Sequence, residues 1–331
     1  MSPVGEVRYC TFEELTRRFI ERATPPRATA KARHRLMMHT PTAMTLLLAL
    51  VSTCEASVLS AASPVVVLGP GSLDMRLLTA KLAARSNLAA SIITGQGAQQ
   101  IWWEQLYGEE YVPGEKAADK VQLLCSSEER EEAFNNAEGL CIVSDGKALP
   151  EAALESVLTA APNVKRCVLL SKMGVTRATA GPLGLGKDGV EQLEAEGRLR
   201  AACASADIGL SIVRVGTLKG GGPGASEVGL ARPYYDNIFD IDQLRVTQAY
   251  DKVVLGAALA KGDPHEMVNQ LVRLGRKGSF EPYEDETSRV VACAAVVAAL
   301  RHTAPIEFSV SSAKGETLPT SGQWEALLNQ L

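Results

Sequence analysis

The 331-residue chain is 46% hydrophobic and has a formal net charge of −4. That is enough apolar material for a sizeable core in one large or two smaller domains, and the balance gives no global basic field for nucleic acid. Seven scattered cysteines without a Cys-x-x-Cys pair argue against a full disulfide framework, and four histidines without ligand spacing point away from a zinc or iron site.

Residues 1–56 carry eight basic and five acidic side chains, a charge of +3 that leaves −7 for the remainder. Within them Arg33-His34-Arg35 precedes Met37-Met38 and the run Thr45–Val51, and mostly small residues follow in Thr53-Cys54-Glu55-Ala56. A basic flank, a short apolar segment and small residues have the layout of a signal peptide. The run is too short to cross a bilayer. Its internal position is explained if translation starts at Met37, Met38 or Met44; the alternative is an amphipathic leader helix. A protein with scattered, reduced cysteines is unusual as a secreted product. The two features are reconciled in an alga whose plastid is reached through the endoplasmic reticulum, with Ser57–Ser63 as the remnant of a transit segment. The expectation is a leader over 1–56 and delivery to a plastid, with the cytoplasm as the alternative.

From residue 62 to 331 a different pattern takes over. Val65–Leu68 is a β-branched apolar run that ends in Gly69-Pro70-Gly71-Ser72-Leu73-Asp74, and Met75, Leu77, Leu78 and Leu82 continue at helical spacing to about Arg85. Strand, tight turn and helix in this order present a helix N-terminus to a dinucleotide pyrophosphate. Gly69 permits the sharp exit, and Gly71 lets backbone N–H groups approach a phosphate. Asp74 stands where G-x-G-x-x-G has its third glycine, and its charge would repel a phosphate. The alternative is an ordinary turn capped by Ser72.

Ser91–Thr94 reads as a second strand and Val121–Cys125 as a third, with a polar segment from Trp102 to Lys120 between them. Glu128–Asn135 is a charged helix begun by Ser126 or Ser127, and Gly139–Val143 is a fourth strand. Leu149–Ala160 is helical, Arg166–Leu170 is a fifth strand, and a glycine-rich loop leads into a helix over about Val190–Ser205. Leu210–Arg214 is a sixth strand. Beyond Gly216 the pattern predicts helices over Asp242–Lys261 and Glu284–Arg301, a strand over Ile306–Val310 and a final helix over Trp324–Leu331. The apolar Arg289–Leu300 has the length of a buried helix, so no transmembrane span is expected. Cys141 and Cys167 lie inside apolar runs and read as core residues. Alternating strands and helices predict an α/β, Rossmann-like doubly wound parallel sheet with helices on both faces.

Pro162–Val175, Asp207–Leu218 and Glu128–Ser144 together resemble the atypical short-chain dehydrogenase/reductase group, the NmrA-like NAD(P)-binding proteins. Pro162–Val175 is similar to the family's fifth strand, which ends in Ser and a nearby Gly. Asp207–Leu218 is similar to its sixth strand, with Val215 where an Arg-Pro-Gly motif has proline. Glu128–Ser144 resembles its third helix and fourth strand. The resemblance covers roughly residues 64–220 and implies an NAD(P) cofactor.

Departures from that pattern bear on chemistry. The family's reductases commonly use Tyr-x-x-x-Lys beyond the fifth strand, where the lysine lowers the tyrosine pKa. Here Lys187 has Leu183 four positions earlier, and no tyrosine occurs between Tyr111 and Tyr234. Ser171 is the catalytic candidate, with the capping of a strand-end turn as its alternative. After the second strand Thr94-Gly95-Gln96-Gly97 offers no charge to choose between NAD and NADP. Gln96 could bond a ribose. Arg76 reaches a phosphate or is a solvated helix residue.

Ligands of open α/β sheets lie at the C-terminal ends of the strands. A dinucleotide is therefore expected over Gly69, Pro70, Gly71, Ser72 and Leu73, with the adenosine ribose near Gly95 and Gln96. The nicotinamide end falls near Ser144, Ser171, Val215 and Gly216. Two functions follow from the resemblance: an NAD(P)H-dependent reductase of a small carbonyl or enone, or a non-catalytic dinucleotide-binding assembly factor or scaffold, as in a plastid photosynthetic complex. The partners expected are the dinucleotide and a small-molecule substrate or a protein complex, without nucleic acid or metal.

Overall fold

The computed structural model describes residues 59–93, 121–124, 126–144, 147–179, 187–220, 253–265 and 282–331. The expected leader over 1–56 and the Gly95-Gln96 segment lie outside the described residues.

Ten strands follow one another along the described chain: β1 (Pro64–Leu68), β2 (Ala89–Ile93), β3 (Gln122–Leu124), β4 (Gly139–Val143), β5 (Arg166–Lys172), β6 (Gly209–Val215), β7 (Thr217–Lys219), β8 (Gly256–Lys261), β9 (Glu286–Ser288) and β10 (Glu307–Ala313). Eight of them form one sheet, in the order β3-β2-β1-β4-β5-β6-β10-β8. All neighbours pair parallel except β8, which is antiparallel to β10. A separate parallel pair joins β7 to β9. The order 3-2-1-4-5-6 within the sheet is that of the doubly wound Rossmann fold, whose winding reverses between β1 and β4.

Both faces are covered. One core joins the sheet to α1 (Leu73–Arg85), α5 (Arg289–Arg301) and α6 (Ser321–Leu328). The other joins it to α2 (Ser127–Asn136), α3 (Glu151–Ala160) and α4 (Lys187–Ser205). Burial on both sides explains why Val65–Leu68 is a continuous apolar run rather than an alternating one. Each such side chain stabilises the fold by about 1.5–3 kcal/mol relative to exposure. Cys141 and Cys167 are fully buried on opposite faces. Helix starts follow their caps: the Ser126 side chain accepts from Glu129 N, which returns its carboxylate to Ser126 N.

Tertiary pairing overrides the expected helices in two places. The pattern puts Gly256–Lys261 inside a helix; it forms edge strand β8 instead, in register with Phe308–Ala313. Its Ala- and Leu-rich sequence suits a helix, but intrinsic propensity is worth little per residue, and the open edge of β10 supplies a full ladder of hydrogen bonds. The start of that expected helix, residues 242–252, lies outside the described residues. Helix α5 begins at Arg289 rather than Glu284, because Glu286–Ser288 pairs with β7 and Ser288 then caps the helix. Among the described residues no helix is long and apolar enough to cross a membrane.

Candidate functional site

The β1–α1 turn sits where the sheet order reverses. Gly69 has φ +131°, and a Cβ there would lie 2.3 Å from Val143 O. Only glycine lets the chain leave β1 so close to the end of β4. Gly71 then donates its N–H to Val143 O at 2.9 Å. The turn is thus fastened to β4 through the Gly71 amide. The donors left for an anion are in the first turn of α1, where Ser72 is the N-cap and its side chain accepts from Met75 N.

Arg76 is half-buried one turn into α1 and donates to Ile93 O at 3.0 Å. It is therefore not a solvated helix residue. The bond holds its guanidinium at the C-terminal end of β2, where an adenosine ribose lies in this fold class.

The ends of β4 and β5 are tied by a buried polar network that sequence reasoning missed. Ser144 donates its hydroxyl to Leu170 O (2.6 Å), and Ser171 donates to Glu196 Oε1 (2.6 Å). Gln192 Nε2 reaches both hydroxyl oxygens, at 3.1 and 3.2 Å. Since each hydroxyl proton is already given away, both serines can only accept, and Gln192 must turn its NH2 toward them. Its Oε1 is left buried without a partner among the described residues. Glu196 in turn receives Arg214 Nη2 at 2.6 Å and Nε at 3.3 Å, and both side chains are 1% exposed. Arg200 and Glu307 extend the cluster to the surface.

Ser171, the catalytic candidate, lies inside this network. Ser171 is 1% exposed and its proton is engaged by the Glu196 carboxylate. Lys187 does not replace it: it pairs with Glu191 at 3.4 Å on the solvent side of α4. Lys172, the last residue of β5, is exposed. The signal for the network was Arg214 itself, a charge inside the apolar run Leu210–Val215, which needs a buried partner.

Val215 and Gly216 are similarly engaged. Val215 O accepts from Met173 N, and Gly216 N donates to Thr287 Oγ1. A Cβ at Gly216 would lie 1.9 Å from Asp285 O. Glycine is needed there for the close passage of the β9 segment. Beside it, Asp263 accepts from Gly174 N, Thr176 N and Thr176 Oγ1, and so fixes the turn that follows β5.

Burial, with a smaller contribution from the Cys293 thiol, pushes the Cys141 thiol up to about 12. A hydrogen bond between Cys167 and Cys203 holds the first well above and the second below the usual thiol range. The four described cysteines are all buried. Among the described residues no group of three or more His, Cys, Asp or Glu side chains could hold a metal ion.

No family model matches the chain. No curated protein matches it in sequence. Solved structures that align with the chain include Gre2 from Candida albicans, with TM-score 0.45, 11% identity, 80% of this chain and 82% of that one. They also include UDP-N-acetylglucosamine 4-epimerase from Bacillus cereus, with TM-score 0.39, 11% identity, 81% of this chain and 84% of that one. The terminal R domain of the myxalamid PKS-NRPS pathway aligns with TM-score 0.43 and 13% identity over 79% of this chain and 72% of that one. At such identities residue roles rest on this chain's own geometry.

Proposed function

We propose that the chain binds a nicotinamide dinucleotide across the C-terminal ends of β1, β2, β4 and β5, and that it is an NAD(P)H-dependent reductase of a small carbonyl or enone. One observation carries the reading: the winding of the sheet reverses between β1 and β4, and the Gly69 turn places the N-terminus of α1 at that point. The residues there fit the pyrophosphate and adenosine half. The first turn of α1 has N–H groups for the pyrophosphate, and Arg76 stands at the end of β2 for a ribose phosphate. With no carboxylate in Thr94–Gly97 to favour a ribose diol, Arg76 supports NADP(H) over NAD(H).

The cofactor supplies a hydride when bound. At that end Ser144 and Ser171 shape the wall without giving a proton, so the proton of a reduction comes from water or from the substrate. Those same locked hydroxyls favour a second reading, in which the chain binds the dinucleotide as a non-catalytic scaffold.

Calorimetry with NADPH and NADH tests the cofactor, and turnover on a panel of carbonyls and enones decides between the two readings. NADPH binding about tenfold tighter than NADH, lost in Gly71→Val and reduced in Arg76→Gln, supports the proposal. A folded protein with affinity for neither dinucleotide overturns it. Delivery of the chain to a plastid is part of the proposal, and a fluorescent reporter fused to residues 37–64 tests it. A reporter diffuse in the cytosol of a host with such a plastid refutes it.

A further inference from the structure

Gln192, near the start of α4, is 2% exposed and bridges the ends of β4 and β5 through the hydroxyls of Ser144 and Ser171. The neighbours allow its amide one orientation. Ser144 gives its proton to Leu170 O and Ser171 to Glu196, so an Oε1 turned toward them would meet two oxygens without a hydrogen. The NH2 faces them instead, and Oε1 remains a buried acceptor with no partner among the described residues. The rest of the network does not relieve it, because Arg214 directs Nε and Nη2 at Glu196. An unpaired buried acceptor carries its full desolvation cost, so its retention calls for a donor from outside the chain.

We infer that Gln192 Oε1 accepts a hydrogen bond from the carboxamide NH2 of the nicotinamide and so sets the orientation of the ring. The inference rests on the dinucleotide reading above, in which the nicotinamide end falls at Ser144 and Ser171, the two residues that hold the Gln192 amide. The carboxamide is the N–H donor of that ring, and an amide carbonyl takes such a donor at about 2.9 Å. Neighbouring polar groups are committed elsewhere: Val215 O accepts from Met173 N, and Gly216 N donates to Thr287 Oγ1. A methyl ketone in place of the carboxamide has no N–H to give and leaves Oε1 unpaired.

The test is calorimetry on the full chain with NADPH and with its 3-acetylpyridine analogue, in which a methyl group replaces the amide NH2. The parent should bind NADPH about tenfold tighter than the analogue, the worth of one hydrogen bond. Gln192→Met, which removes the acceptor at similar length, should bind both with equal affinity by weakening NADPH alone. Gln192→Asn keeps an amide but withdraws it by one methylene, and it should lose the preference too, so the readout survives a Gln192→Met chain that fails to fold. A purely structural role would weaken both ligands alike and keep their ratio. Equal affinities in the parent, which would assign the missing donor to an internal water, overturn the inference and leave the dinucleotide reading standing. So does a preference that persists undiminished in either folded variant. Affinity for neither ligand overturns the dinucleotide reading, and the inference with it.

Discussion

Ser171 Oγ lies 2.6 Å from Glu196 Oε1, and neither side chain is more than 1% exposed. The hydroxyl at the end of β5 is therefore a structural donor to a buried carboxylate. Ser171→Ala should cost about 1–3 kcal/mol of stability, since it strips a donor from Glu196 and an acceptor from Gln192. Turnover per folded molecule should stay within a few-fold of the parent. Urea unfolding and a steady-state assay measure the two quantities; a large loss of turnover at unchanged stability would restore Ser171 as a catalytic group.

The Glu196–Arg214 pair should behave asymmetrically. Removing one partner, as in Glu196→Leu, leaves the buried Arg214 with only the half-exposed Glu307 carboxylate at 3.4 Å and should cost about 3 kcal/mol. The double variant Glu196→Leu/Arg214→Met should lose less than the sum of the two single variants, because it removes both buried charges of the pair together. Additive losses in urea unfolding would show that the pair is not coupled.

Glycines of different origin should respond oppositely to alanine. At Gly216 the new methyl meets Asp285 O at 1.9 Å, so Gly216→Ala should be strongly destabilising or fail to fold. At Gly197, inside α4, nothing lies within 4 Å of the new methyl. Gly197→Ala should stabilise by about 0.5–1 kcal/mol through helix propensity alone. Thermal melts of the two variants compare them directly.

Cys141 gives a pH signature in the alkaline range. Its thiol is raised from 9.0 to about 12 by burial and by Cys293. Below pH 9 the folded and unfolded thiols are both protonated, and the contribution to stability is full. Between pH 9 and 12 the unfolded thiol ionises while the folded one does not, so stability falls with rising pH by up to about 1.4 kcal/mol per unit. Unfolding curves of the parent and Cys141→Ala over this range should diverge, with the shallower slope in the variant. Parallel slopes would exclude the effect.

The order and type of most elements were legible because each carries its own period. Val65–Leu68 and Gly139–Val143 are continuous apolar runs, and the start of α2 was narrowed to Ser126 or Ser127, of which Ser126 is the cap. β8 was not legible. Gly256–Lys261 contains only small and helix-compatible residues, and it is a strand because β10 lies beside it. The candidate site divides in the same way. The turn at Gly69 is a local event and could be read from the chain. The bond from Arg76 to Ile93 O joins residues 17 positions apart, and local patterning left open whether Arg76 faced a ligand or water.

The sequence by itself determined the doubly wound α/β sheet, since strand and helix periods and the β1–α1 turn depend on near neighbours. Only the tertiary structure decided what the polar residues at the strand ends do. Ser171, Gln192, Glu196 and Arg214 span 43 positions in sequence and meet because β5, β6 and α4 pack together. A hydroxyl beside bulk water can act as a donor to a ligand. The same hydroxyl, enclosed with a carboxylate and a guanidinium, is committed to its neighbours, because a buried charge must be satisfied from within the protein.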